Sequence, residues 1–241
     1  MTTTRQETDV IAPPAPGRWR LFGVFAIASL VVAQVVAVVI SPPDRDMGHL
    51  QKIMYVHFPI ALNMFVCYLV VLIGSVRYLM LRSERADLLA ASAAEVGAVM
   101  TGLTLALGML WAKPTWGVWW AWDPRLTSTL VLFLLATAYL ALRAFVDDPE
   151  RRATWSATVG ILGALNVPIV YMSVRWWRTL HQVQSSPSSL DPEYVIGVRL
   201  NLTAVLLVTV YLIHSRYAAA LTERAAENRA MAAALGANHG G

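Results

Sequence analysis

Residues 111–128 read WAKPTWGVWWAWDPRLTS, from Trp111 to Ser128. The stretch carries five of the nine tryptophans: Trp111, Trp116, Trp119, Trp120 and Trp122. It cannot itself cross a bilayer, because Lys113, Pro114, Gly117, Asp123, Pro124 and Arg125 interrupt it. Long apolar runs flank it on both sides. Tryptophan settles at the membrane–water boundary, where its ring is buried and its N–H stays wet. The stretch therefore reads as an aromatic platform at one membrane surface. Two or three tryptophans would make an ordinary interfacial belt. Four within seven residues, Trp116 to Trp122, closed by Asp123, suit a flat ligand better. If the stretch is helical, Trp116, Trp119, Trp120 and Asp123 share one face, at spacings of three and four, and Trp122 lies off it.

The flanking runs belong to a chain of membrane composition. Of 241 residues, 57% are hydrophobic and 14% charged, with a mean hydropathy of +0.54. Six runs are predicted to span: Leu21–Ile40, Ile53–Leu81, Leu88–Leu110, Leu126–Val146, Thr154–Val174 and Tyr194–Tyr217. Each is on the order of 20 residues or more, and 20 helical residues rise roughly 30 Å, one bilayer core. The expected fold is an all-α integral membrane protein of six transmembrane helices, with the tryptophan segment between the third and fourth. Residues 1–20 read as an N-terminal tail, 21–217 as the six-helix domain and 218–241 as a C-terminal tail. A signal peptide would show a shorter apolar region and a small-residue cleavage site, so the first run is expected as a retained helix.

Asp123-Pro124 is a helix start, with Asp as N-cap and Pro at the first helical position. Capping does not exclude a ligand role for Asp123. Glu95 lies inside the third run; it is either functional or a carboxylate reaching back to the headgroups. The single cysteine, Cys67, excludes an internal disulfide and any CxxC site, and reads as a small buried residue. No G-x-S-x-G, phosphate loop or paired intramembrane carboxylates point to a hydrolase or kinase. The net charge of +4 needs no nucleic-acid partner, because the basic residues flank apolar runs.

Six spans put both termini on one side. Twelve of the nineteen Lys and Arg residues then share the terminal side, in groups of three: Arg5, Arg18 and Arg20; Arg77, Arg82 and Arg85; Arg143, Arg151 and Arg152; Arg216, Arg224 and Arg229. Seven fall opposite: Arg45, Lys52, Lys113, Arg125, Arg175, Arg178 and Arg199. The bias predicts cytoplasmic termini and an external tryptophan segment. On that topology His57, at the outer end of the second span, shares a surface with His181, in the loop after the fifth, and with His49. His214 falls at the inner end of the last span and His239 in the tail. A lone histidine at a helix end is usually an ordinary interfacial residue. His57 and His181, however, have aromatic neighbours: Tyr55 and Phe58 for the first, Trp176 and Trp177 for the second. Two histidines without a thiolate or carboxylate cluster make a poor zinc site. Facing each other over an aromatic floor, they suit haem, which needs axial ligands and apolar walls. Arg125, Arg175, Arg178 and Lys52 are candidate partners for the propionates, though topology alone accounts for any one of them.

These residues resemble a known family. WGVWWAWDPRLTS resembles the "WWD" signature of haem-handling proteins in cytochrome c maturation. YVHFPIA around His57 and VRWWRTLHQ around His181 resemble its two flanking histidine motifs. With six spans, the chain is most similar to the haem exporter protein C (CcmC) family, from about Leu21 to Tyr217. Pro124 and Arg178 depart from the family, which commonly has a small residue and Asn there; neither departure removes a ligand. The resemblance implies a transport and delivery role rather than catalysis. It implies haem b, carried as cargo at the periplasmic face of the bacterial inner membrane and loaded onto a periplasmic haem chaperone, CcmE. It also implies an ABC transporter, CcmA and CcmB, and a small single-span subunit, CcmD, as partners. His57 and His181 match the axial ligands. Trp116, Trp119, Trp120, Trp122 and Asp123 match the haem platform. The competing classes are a b-type cytochrome subunit that carries electrons and a structural subunit without cofactor.

Overall fold

The structure, a computed structural model, describes residues 16–181 and 192–238. Six long helices follow one another: α1 Pro16–Val35, α2 Met54–Leu81, α3 Glu84–Trp116, α4 Pro124–Phe145, α5 Pro149–Trp176 and α6 Pro192–Asn238. A π turn at Val36–Ile40 prolongs α1, and a 3₁₀ turn at His49–Ile53 leads into α2. All six helices are long and apolar enough to cross a membrane. The chain is thus a multi-pass, all-α membrane protein.

The helices begin where polar side chains can hold their free N–H groups. Ser83 Oγ accepts from the Ala86 N–H, Asp123 Oδ1 from Arg125 and Asp148 Oδ1 from Arg151. Pro124 and Pro149 follow two of these caps, at positions that need no donor. Hydropathy reports the lipid-facing part of a helix, not its ends, so the helices outrun the apolar runs. α3 begins at Glu84 and α5 at Pro149, ahead of the expected Leu88 and Thr154. α6 runs unbroken for 47 residues; at 1.5 Å per residue that is about 70 Å, roughly twice a bilayer core. The Ala-rich residues 218–238 continue that helix. The tail 1–15, loop 182–191 and His239 lie outside the described residues.

Small residues set the packing. A Cβ on Gly74 would lie 2.8 Å from the Ala86 carbonyl oxygen, and one on Gly97 3.1 Å from Cys67 Cβ, so α2 and α3 touch almost backbone to backbone. Cys67 is fully buried there, as expected of it. Tyr68 and Thr101 hydrogen bond across the same seam at 3.0 Å. The core continues through Met64, Val71, Leu132, Tyr139 and Val170 on α2, α4 and α5. α1 is joined to α6 through Gln34, whose amide donates to Asn201 at 2.5 Å.

The two ends of the bundle differ. One end, where α3 and α5 start, is charged. Arg143 forks onto Asp87 at 2.6 and 3.0 Å, Arg216 Nε reaches Glu95 at 2.5 Å, and Arg224 pairs with Glu84. These residues surround a cavity of about 900 Å³. Glu95 is therefore a paired carboxylate at the rim of this cavity. The other end carries the tryptophan-rich stretch from Trp111 to Trp122.

Candidate functional site

Gly117 adopts φ 77°, a left-handed conformation that ends α3 just after Trp116. Residues 118–123 are not helical, and α4 starts at Pro124. The single tryptophan stripe expected of a continuous helix is therefore not formed. Trp116 belongs to α3, whereas Trp119, Trp120 and Trp122 lie on a loop capping this end of the bundle. Trp119 is 54% exposed and Trp122 77%, so both present a ring to the surroundings. Trp120 is half-buried and meets Trp122 edge-on at 5.7 Å.

Asp123 points the other way. It is buried, and both of its oxygens are used. Oδ1 accepts from the Arg125 N–H at 2.9 Å and lies 3.2 Å from His181 Nδ1. Oδ2 accepts from the Thr179 hydroxyl at 2.5 Å and the Leu180 N–H at 2.7 Å. Thr179 Oγ1 in turn accepts from the His181 N–H at 3.1 Å. Burial pushes the carboxyl upward, but the Thr179, Leu180 and Arg125 donors outweigh it and hold Asp123 below the ordinary carboxylate range. Burial holds His181 below the ordinary imidazole value, against the opposite pull of Asp123. One side chain thus caps α4, ties down the segment after α5 and orients the His181 ring.

His57 and His181, 124 residues apart in sequence, line the same cavity, of about 110 Å³. Trp116, Arg125, Phe58, Met64 and Gly108 share its walls. Trp116 stands edge-on to His181 at 4.9 Å, and Trp111 edge-on to His57 at 5.9 Å. A Cβ on Gly108 would lie 3.3 Å from His57 Cε1, so this glycine leaves room for the ring. Three buried polar atoms around the cavity have no partner: His57 Nδ1, Arg125 Nε and Trp111 Nε1. Among the described residues five other buried polar atoms elsewhere in the bundle also lack a partner, so these three count only together with the two imidazoles on the same cavity. Arg125 also donates to the Tyr171 carbonyl at 3.2 Å, which turns its guanidinium along α5.

The other basic candidates lie elsewhere. Lys52 Nζ donates to the Val38 carbonyl at 2.5 Å, and Arg175 and Arg178 are exposed. His49 is exposed at the start of the 3₁₀ turn. His214 stacks on Trp19 at 3.5 Å, joining α1 to α6, and is not part of the cavity. Among the described residues no group of three His, Cys, Asp or Glu side chains could hold a metal ion. The cavity offers two imidazoles, one cation and aromatic walls, a donor set for a planar group ligated at its centre. Thr179 and Gly108 were not singled out by sequence. The signal for Thr179 is its position two residues before His181; nothing in the sequence separates Gly108 from the other glycines of the apolar runs.

A family model described as heme exporter protein C matches residues 14–232. The chain belongs to that family. It is 43% identical over 180 residues to heme exporter protein C of Bradyrhizobium diazoefficiens, covering 72% of this chain and 68% of that one. It is 35% identical over 191 residues to the protein of the same name from Escherichia coli K12, covering 78% of each. Against the Haemophilus influenzae protein of that name the identity is 34% over 194 residues, covering 80% and 79%.

Proposed function

We propose that this protein binds haem at the tryptophan-bearing end of the bundle and hands it to an acceptor for cytochrome c maturation. Membership of the heme exporter protein C family supports haem handling, a transport and delivery role rather than catalysis. The observation that carries the reading is the pair of histidines on one cavity, with Trp116 edge-on to His181. Imidazole nitrogens are axial ligands for haem iron. The unpartnered Arg125 Nε and the aromatic walls suit the edge and faces of the macrocycle. A cavity of about 110 Å³ is too small to enclose a porphyrin, so part of the ring would stand outside it. Such a site suits a cargo that must leave again.

The finer assignment follows the same line. The haem is b-type and non-covalent, and the site faces the periplasm across the bacterial inner membrane, with both termini cytoplasmic. The acceptor is the periplasmic haem chaperone CcmE, and CcmA, CcmB and CcmD are the complex partners. The Lys and Arg bias supports this orientation. Reporter fusions at the C-terminus and in the Ser185–Ser189 loop test it; a periplasmic reporter active at the C-terminus refutes it. A visible spectrum of the purified protein tests the cargo. A low-spin Soret band is expected, lost in the His57→Gly, His181→Gly double variant, and passed on when CcmE is added. Haem that stays bound to the protein and only cycles between redox states identifies an electron carrier instead. No Soret band at all leaves a structural subunit.

A further inference from the structure

The two histidines are held unequally. His181 has a carboxylate behind it: its Nδ1 lies 3.2 Å from Asp123 Oδ1. That carboxylate is itself fixed by Thr179 Oγ1 and the Leu180 N–H, and the His181 main chain is tied to the same Thr179 oxygen. Ring and backbone thus share one anchor. A carboxylate acceptor keeps the proton on Nδ1, leaves the Nε2 lone pair free, and raises the basicity of the ring as a ligand. His57 has nothing comparable. Its Nδ1 is buried and unpartnered, and its ring is steered by the edge of Trp111 and the clearance over Gly108. An imidazole without such backing is a weaker donor and freer to turn.

We propose that Asp123, locked by Thr179, is a positioning residue that makes His181 the anchoring ligand of the cargo iron and His57 the ligand that yields. The inference rests on the reading of these histidines as the two axial ligands. Delivery then begins as a ligand exchange on the His57 side. The bond between iron and His57 breaks, one between iron and an incoming base of the acceptor forms, and the oxidation state of the iron does not change. His181 holds the cargo until the second bond is made.

The test uses the full-length haem-loaded protein. Asn is as good an N-cap as Asp, so with its oxygen on the Arg125 N–H Asp123→Asn keeps the start of α4, while it removes both the charge behind His181 and the acceptor of the Leu180 N–H. Loss of such a backing group typically lowers metal affinity about 10- to 100-fold. Asp123→Asn is therefore expected to speed haem loss to apomyoglobin by about that factor and to raise the reduction potential. Thr179→Val should act in the same direction, and Thr179→Ser should restore the wild-type value. His181→Gly should lose haem faster than His57→Gly. Asp123→Asn should act strongly in the His57→Gly background and have no effect in the His181→Gly background. Equal loss from both histidine variants, or the same Asp123→Asn effect in both backgrounds, overturns the proposal while leaving the two ligands in place. A wild-type spectrum in both histidine variants overturns the proposal and the ligand assignment together.

Discussion

Gly108 offers a clean way to move one ligand without touching it. Its missing Cβ would lie 3.3 Å from His57 Cε1. Carbon atoms settle at about 3.5–4.0 Å. An alanine at 108 therefore asks the His57 ring to retreat by roughly 0.2–0.7 Å, close to the ~0.5 Å tolerance within which a binding constellation still works. Helix α3 should not suffer, because Ala is about 1 kcal/mol better than Gly inside a helix. The expected result for Gly108→Ala is a stable protein with faster haem loss and a partly high-spin spectrum. Gly108→Leu exceeds the tolerance and should remove His57 from the iron altogether. It should also differ from His57→Gly in one respect. Added imidazole refills the space left by a deleted His57 ring, but leucine occupies that space, so the spectrum should not recover. The assay is the visible spectrum of each variant with and without imidazole. A wild-type low-spin spectrum in Gly108→Leu refutes the idea that this glycine sets the place of His57.

Three more expectations follow from the geometry. Trp119→Ala and Trp122→Ala should each weaken haem retention by a graded amount, with Trp→Phe milder, as contacts of shape and dispersion require; equal, complete loss for Phe and Ala would point to the indole N–H groups. Asp87→Ala leaves the little-exposed Arg143 guanidinium without its partner and should cost about 3 kcal/mol, seen as a lower thermal midpoint with an unshifted Soret band. An unchanged midpoint would mean that water replaces the pair. In the haem-free protein burial lowers the value of His181, so its ring stays neutral, and able to take up haem, where a free imidazole is already charged. Haem uptake by the haem-free protein should therefore persist as pH falls through 6.5, the ordinary value, and fail only below it; an uptake midpoint above 6.5 contradicts the burial.

Much of this was legible in the residues. Six apolar runs gave six helices, and Asp123-Pro124 marked the start of α4. His57 and His181 were expected on one surface, and they line one cavity. The tryptophan stripe holds only for a continuous helix, and residues 118–123 are not helical. Gly117 as a helix stop and Asp123-Pro124 as a restart both say that the stretch breaks between them. Hydropathy does not show where polar residues prolong a helix, as at Pro149; the Ala-rich composition after Tyr217 suits a short helix, but does not show that it continues α6 without a break. The contact between Asp123 and His181 spans 58 residues. No periodicity encodes it, since it depends on how a loop folds over the end of a bundle. Thr179 and Gly108 stayed hidden for the same reason: their roles exist only once α3, α4 and the segment after α5 have met.

The exposure of Trp119 and Trp122 has a consequence for how this site meets its medium. With the tryptophan-bearing end at the membrane surface, as proposed, headgroups and upper acyl chains would reach those rings, since indole partitions well there. Lipid is then a competitor for the same aromatic faces that the cargo must cover. Haem binding is an exchange, and its free energy includes stripping those chains away. Affinity should therefore vary with the amphiphile around the protein, being lower where acyl chains wet indole well and higher where they wet it poorly. On the proposed reading the bilayer would be a third participant in the hand-over, covering the tryptophans as the cargo departs.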